Sequence, residues 1–126
     1  MIMRDFHKIV WRDERGTTAV EFAIVSPVFI ALVIGLLYLC LCLFLVGSLH
    51  YAVEEGARCA SVRTTVCKDA GTTVAYAQSR YFGPSSPTFT AATAACGNSL
   101  TGSINYVAQL GLTQVTIPVR ATACFP

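Results

Sequence analysis

Six cysteines are the residues of this sequence with the clearest chemistry. Four of them follow a long apolar run: Cys59, Cys67, Cys96 and Cys124. An even number of cysteines in a small segment predicts disulfide bonds in an oxidising compartment, although four cysteines allow three pairings. We favour the bridge Cys59–Cys67 because its loop is short. The remaining bridge, Cys96–Cys124, then joins the ends of neighbouring predicted strands.

The first bridge sets a condition on the helix that carries Cys59. In an unbroken helix Cys59 and Cys67 would lie about 12 Å apart, whereas a bridge needs Cα atoms within about 7 Å. We therefore expect the helix to end near Ser61. The β-branched residues in the segment VRTTV, residues 62–66, favour such an end.

Cys40 and Cys42 lie inside the apolar run and do not have the pattern of a metal site. Residues two apart do not share a helix face, and no Asp, Glu or His is near enough in sequence to complete a set of ligands. We interpret both as small apolar residues in lipid. His50 has no carboxylate or serine nucleophile arranged around it and is interpreted as interfacial. The sequence therefore predicts no catalytic residue, no metal, no cofactor and no enzymatic activity.

Glu21 is a carboxylate at the start of the apolar run, where a charge is costly and normally has a partner. Two interpretations are open. In the first, Glu21 lies at the membrane interface and interacts with headgroup water and the positive end of the helix. In the second, cleavage between Gly16 and Thr17 creates a free amine on Thr17, and Glu21 of one subunit pairs with that amine.

The apolar run predicts the main element of the chain, a long helix that carries Glu21, Cys40, Cys42 and Cys59. No Asp, Glu, Lys or Arg occurs between Glu21 and Glu54, and a helix over that stretch would be about 48 Å long. Since roughly 20 apolar residues cross a bilayer, we predict one transmembrane helix, residues 17–61, that projects beyond the membrane. Charged residues make up 13% of the chain, and a net charge of +2 without an aromatic-interleaved basic patch does not indicate nucleic-acid binding.

Residues 1–16 form a short charged leader, which is either a weak amphipathic helix on the membrane surface or a disordered basic tail. Its basic residues predict a cytoplasmic N-terminus. Basic residues after the helix weaken this bias, and the four cysteines favour an oxidising compartment for the C-terminal side. The apolar run is longer than that of a secretory signal, so we expect the helix to be retained and any cleavage to precede it.

Residues 62–126 are predicted to form a small disulfide-bonded domain. Asp69 is the expected N-cap of a second helix, residues 70–82, which buries Val74, Ala77 and Tyr81 on one face. Gly83 and Pro84 end that helix.

Three strands follow the second helix, with a turn signal at Gly97-Asn98: residues 88–96, 100–107 and 115–123. Pro118 either places the last strand at an edge or lies where its missing N–H donor would point outward. The predicted fold class is α+β, with a long N-terminal transmembrane helix, a second helix and a three-stranded antiparallel sheet.

The N-terminal sequence RDERGTTAVEFAIVSPVFIALVIGLLYL resembles the start of TadE-like proteins, the minor pilins or pseudopilins of tight-adherence (Flp, type IVc) pilus systems. The matching features are the Arg-rich leader, Gly16, the run 19–23 and Pro27. Residues 51–61 are similar to the end of the family's long helix, and residues 76–126 are similar more loosely. The resemblance implies a pilin-like fold, a cut by a prepilin peptidase between Gly16 and Thr17, and a role for Glu21 in assembly.

Small residues recur four apart along the predicted transmembrane helix: Ala19 and Ala23, then Ala31 and Gly35. Small residues let helices approach closely in lipid, so this stripe predicts helix packing. A second stripe, Ala52, Gly56 and Ala60, suits packing against either the C-terminal domain or a neighbouring molecule.

The predicted function is that of a minor pilin in the assembly of tight-adherence pili, processed after Gly16. The implied partners are the bacterial inner membrane, other pilins or pseudopilins, the pilus assembly machinery and the prepilin peptidase, with no nucleic acid. The N-terminus would be cytoplasmic and the C-terminal domain either periplasmic or incorporated in an extracellular pilus. The alternative is an unprocessed, membrane-anchored periplasmic protein that binds a component of a secretion or pilus machine or a cell-wall ligand.

Overall fold

The computed structural model describes residues 14–126, so the expectations for the leader before residue 14 lie outside the described residues. It contains two helices and three strands: α1 (Glu14–Val62), α2 (Ala70–Arg80), β1 (Thr88–Ala94), β2 (Gly97–Leu110) and β3 (Thr113–Phe125). The predicted fold class is confirmed, since a long apolar helix is followed by a second helix and a three-stranded antiparallel sheet in the order β1-β2-β3.

The chain divides into two compact units, the first ending at Leu37 and the second comprising Tyr38–Pro126. In the N-terminal unit, α1 exposes nearly every side chain from residue 16 to residue 37 and contains Pro27. Of the described helices, α1 is long and apolar enough to cross a membrane. Because apolar side chains without a protein partner are costly in water, this exposure fits a helix that is surrounded by lipid.

The C-terminal unit has its core between the second part of α1 and the sheet. Leu49 and Val53 of α1 are buried to 0% and 1% exposure, and the core also contains Leu100 from β2 and Phe89 from β1. Ala77 of α2 completes the same cluster. The spacing of the buried α1 residues, which include Leu45, Leu49, Ala52 and Val53, is that of one helical face.

The second helix begins where the sequence predicts. Asp69 is the N-cap, and its carboxylate accepts a hydrogen bond of 2.8 Å from the Thr72 backbone N–H, while Thr72 Oγ1 accepts one from the Asp69 backbone N–H. This reciprocal capping box satisfies two of the free donors at a helix start. The helix ends at Arg80, slightly before the predicted end, and Ala77 is buried with Val74 and Tyr81 partly buried beside it.

The sheet differs from prediction at one turn. The turn between β1 and β2 falls on Ala95 and Cys96, so Gly97 and Asn98 already belong to β2. Gly97 has φ of 118°, a left-handed conformation that favours glycine, and a Cβ there would collide with the Phe125 carbonyl. The glycine therefore follows the turn and does not form its centre.

The other strand predictions are confirmed, with longer bounds for β2 and β3. Leu100 and Ile104 are buried on the face of β2 that packs on α1, and Tyr106 is half-buried. Pro118 lies opposite Asn105 on β3, which is an edge strand of the sheet. A proline is tolerated there because its missing N–H is not needed by a further strand.

Candidate functional site

The residues predicted for processing and assembly all lie on α1 in the N-terminal unit. Gly16 and Thr17 are in the first turn of the helix, and both are exposed. Backbone N–H groups in a first helical turn have no partner within the helix, so this end is easily unwound. Glu21 lies one turn beyond Thr17 on the same face, and its side chain is also exposed.

The small-residue stripe of the N-terminal unit has no covering element among the described residues. Ala19, Ala23 and Ala31 are exposed, and a Cβ added to Gly35 would have no atom within 4 Å apart from its own helix backbone and chain neighbours. The stripe therefore offers a shallow, uncovered surface for another helix.

The second small-residue stripe packs inside the C-terminal unit. Ala52 is fully buried, and a Cβ on Gly56 would collide with Leu100 Cδ2 and lie 3.0 Å from Ala77 Cβ. Of the two partners that the sequence leaves open, the structure places the sheet and α2 against this stripe. Gly102 of β2 is a matching close approach, because a Cβ there would lie 2.9 Å from Leu49 and Val53 side-chain atoms.

The structure joins the same two cysteine pairs that the sequence favours. Cys59, in the last turn of α1, is bridged to Cys67, which follows the end of the helix at Val62, with a Cα–Cα distance of 5.8 Å. Cys96 and Cys124 are bridged with a Cα–Cα distance of 6.1 Å, between the β1–β2 turn and the end of β3. Cys40 and Cys42 remain as free thiols.

Within the C-terminal unit, three polar side chains of α1 form hydrogen bonds to the sheet or to the loop after α2. The sequence analysis did not identify these residues. Ser61 Oγ donates to the Phe125 carbonyl at 3.1 Å. Ser48 Oγ accepts from the Phe82 backbone N–H at 2.7 Å, and the Tyr38 hydroxyl donates to the Gln109 carbonyl at 3.0 Å. A sequence signal exists for Ser48, because it is a polar residue on the buried face of an otherwise apolar run.

In the C-terminal unit, two side chains have a shifted pKa and one arginine makes a cation–π contact. The hydrogen bond from the Thr72 backbone N–H lowers the pKa of Asp69, and burial raises the pKa of Tyr81. The Arg80 guanidinium lies 4.9 Å from the centre of the Tyr76 ring, a cation–π contact. No group of three or more His, Cys, Asp or Glu side chains within residues 14–126 is placed to hold a metal ion.

Within residues 14–126, these features define a class of protein: an apolar helix of membrane-spanning length followed by a small, doubly disulfide-bonded α+β unit. The family model described as TadE-like protein matches residues 16–58, from the predicted processing site to within the last turns of α1. The resemblance is thereby confirmed over this segment, which is similar to the TadE-like family.

The match has a direct implication for function. The family belongs to tight-adherence pilus systems and is a pilus assembly component, not a known family of enzymes. No curated protein and no solved structure matches the chain.

Proposed function

We propose that this protein is a TadE-like minor pilin that anchors in the bacterial inner membrane through α1 and acts in the assembly of tight-adherence pili. The observation that carries the proposal is the uncovered stripe of small residues on α1, within the segment that the family model matches. Because lipid provides no hydrophobic drive between helices, close packing through small residues is the means by which α1 associates with the helices of other pilins.

Processing after Gly16 creates a positively charged partner for the Glu21 carboxylate, which the unprocessed chain does not provide. The cut frees the amine of Thr17, and the amine of one subunit pairs with the Glu21 carboxylate of its neighbour. Both groups are exposed on α1 in the single chain. In lipid an unpaired carboxylate is costly, so this pairing favours the assembled state over the isolated subunit.

The N-terminus of the protein recovered from membranes of its native host tests this proposal. We expect intact mass spectrometry to give a chain that begins at Thr17, and we expect Gly16→Leu to block the cut. Gly35→Leu is the matched control, since it changes a glycine of the same helix away from the cleavage site. A mature chain that begins at Met1 would contradict processing and favour the anchored binding protein.

A second experiment tests the assembly role of Glu21. We expect Glu21→Gln to leave the cut intact and to reduce the cross-linking of this protein to other pilins. Glu54→Gln, a change on the same helix within the C-terminal unit, is the control. Equal cross-linking in all three proteins would exclude the Thr17–Glu21 pairing.

The state of the cysteines in cells tests the proposed orientation, in which the C-terminal unit is periplasmic. If the C-terminal unit is periplasmic, alkylation of the denatured, unreduced protein from cells modifies Cys40 and Cys42 alone. Reduction before alkylation then exposes the four bridged cysteines as well. Modification of all six without reduction would place the unit in the cytoplasm, where thiols are kept reduced.

A further inference from the structure

The tip of the β2–β3 hairpin is an exposed apolar turn. Leu110 pairs with Thr113, so the turn consists of Gly111 and Leu112. Gly111 has φ of 66° and Leu112 does not have positive φ, which is the pattern of a type II′ turn with glycine first. Leu112 is fully exposed, at 106% of its reference area.

The hairpin runs along α1 as far as Tyr38. Leu100 of β2 lies against Gly56, and Gln109 of β2 accepts the hydrogen bond from Tyr38. From Gly56 back to Tyr38 the helix covers about 27 Å, and from Leu100 to Gln109 the strand covers about 30 Å. These lengths agree, so the hairpin tip is level with Tyr38, the first residue of the C-terminal unit.

The hairpin that carries the tip has no charged residue before Arg120, and the neighbouring stretch of α1 has none either. The sequence contains no Asp, Glu, Lys or Arg between Arg80 and Arg120 or between Glu21 and Glu54. On α1, Leu43 and Phe44 lie within about 9 Å of Tyr38 along the helix axis and are 63% and 53% exposed. Val115 of β3 is 45% exposed. Such a concentration of exposed apolar side chains is unusual in water and typical of an interaction surface.

Lipid is the occupant that this surface favours. Residues 17–37 span about 32 Å as a helix, close to the roughly 30 Å of a bilayer's hydrocarbon core. Tyr38 follows directly, and tyrosine is enriched at the membrane–water interface. Since the tip is level with Tyr38, it reaches the same depth.

We propose that the β2–β3 turn inserts Leu112 into the interfacial region of the bilayer that α1 spans, on the side of the C-terminal unit. This inference rests on the proposed membrane anchor. It gives the protein two lipid contacts, the helix and the hairpin tip.

Tryptophan fluorescence in bilayers tests the insertion. The full chain with Trp11→Phe receives one tryptophan by Leu112→Trp, Phe29→Trp or Phe125→Trp and is placed in phosphatidylcholine–phosphatidylglycerol vesicles with phosphatidylcholine brominated near the headgroup. Phe29 reports on the spanning helix. Phe125 lies at the level of Ser61, far from the tip. We expect quenching of about twofold for the Leu112→Trp protein and almost none for the Phe125→Trp protein.

The outcomes separate the two proposals. Quenching of the Phe29→Trp protein by lipid brominated deeper in the acyl chain, without quenching of the Leu112→Trp protein, would overturn the insertion and leave the membrane anchor intact. Absence of quenching in all three proteins would overturn both.

Tryptophan itself prefers the membrane interface, so a tryptophan at position 112 could insert by its own preference. A second reporter position separates that effect from the contribution of Leu112. In a chain with Trp11→Phe and Val115→Trp, we expect Leu112→Asp to reduce the quenching at least twofold, because a carboxylate resists entry into lipid. Thr93→Asp, at the opposite end of the sheet, is the control and should not change the quenching. Unchanged quenching after Leu112→Asp would show that Leu112 is not the inserted group.

Discussion

The two parts of α1 have similar composition and different surroundings. From residue 16 to residue 37 the apolar side chains are exposed, whereas from Tyr38 onward one face is covered by the sheet and α2. Both parts carry small residues four apart, at Ala31 and Gly35 in the first and at Ala52 and Gly56 in the second. In the second part a strand fills the space above the small residues; in the first part that space is open.

The comparison shows how one apolar run serves two purposes. A bilayer needs roughly 20 residues, and the charge-free run is longer than that. The excess is not simply a projecting helix, because Leu45, Leu49 and Val53 form part of the core of the C-terminal unit. Hydropathy alone does not mark the boundary between the two uses.

The largest expected effect comes from truncating a leucine in each part of the helix. Leu49→Ala should lower the free energy of unfolding of the C-terminal unit by about 2–5 kcal/mol, because Leu49 is fully buried in its core. Leu32→Ala is the matched control, with an exposed side chain and an expected change below about 0.5 kcal/mol. Pulse proteolysis of the full chain in nanodiscs, over a series of urea concentrations, measures the free energy of unfolding of both variants. Equal effects would contradict the division at Tyr38.

The loss of unfolding free energy on removal of a disulfide should be larger for the bridge that closes the longer loop. The Cys96–Cys124 bridge closes 28 residues and the Cys59–Cys67 bridge closes 8. Chain entropy predicts losses of about 3.6 and about 2.5 kcal/mol respectively for the double Cys→Ala variants. The same urea series measures the difference. The reverse order would show that the bridge at the end of α1 has a further role in holding the helix to the sheet.

The two helix glycines provide a smaller and more local test. Gly56→Ala should destabilise the C-terminal unit by about 1–3 kcal/mol, since the added methyl collides with Leu100 and crowds Ala77. Gly35→Ala adds a methyl where there is open space and should leave that stability unchanged. The denaturation midpoints of the two variants, compared with that of the unchanged protein, measure this difference in stability. A tolerated Gly56→Ala would mean that Leu100 is free to adopt another rotamer.

The smallest effect concerns the cap of α2. The hydrogen bond from Thr72 lowers the folded-state pKa of Asp69 below its ordinary value of 3.8, so its contribution to stability is present above that pH and is lost as the pH falls through the lowered pKa. Asp69→Asn keeps an acceptor at the N-cap and should remove this part of the acid dependence. Unfolding midpoints between pH 3 and pH 7 compare the two proteins. Identical acid dependence would exclude a role for the Asp69 charge.

The sequence predicted the order and type of the elements because their signals are local. Asp69 before an amphipathic segment and the alternation around Val119 each depend on neighbouring residues alone. The hydrogen bond between Tyr38 and Gln109 joins residues 71 apart and depends on how far β2 extends along α1. The misplaced turn at Gly97 has a similar origin, because glycine is required there by its positive φ just after the turn and by the close approach of Phe125 from β3.

The assembly residues lie beyond what either sequence or a single chain determines. Gly16, Thr17 and Glu21 are exposed in the described structure, and their roles depend on a peptidase and on a second subunit. Their predicted chemistry therefore stays a prediction until the mature N-terminus is measured.

The position of the bridges also determines how the C-terminal unit yields under load. Both disulfides lie at the end of the sheet near Ser61, where Asn98 also donates to the Ser61 hydroxyl at 3.2 Å. The hairpin tip is bound to α1 through the Tyr38 hydroxyl. A force that pulls the hairpin tip from α1 would therefore act first on the Tyr38 hydrogen bond, while the Cys96–Cys124 bridge keeps the other ends of β2 and β3 together.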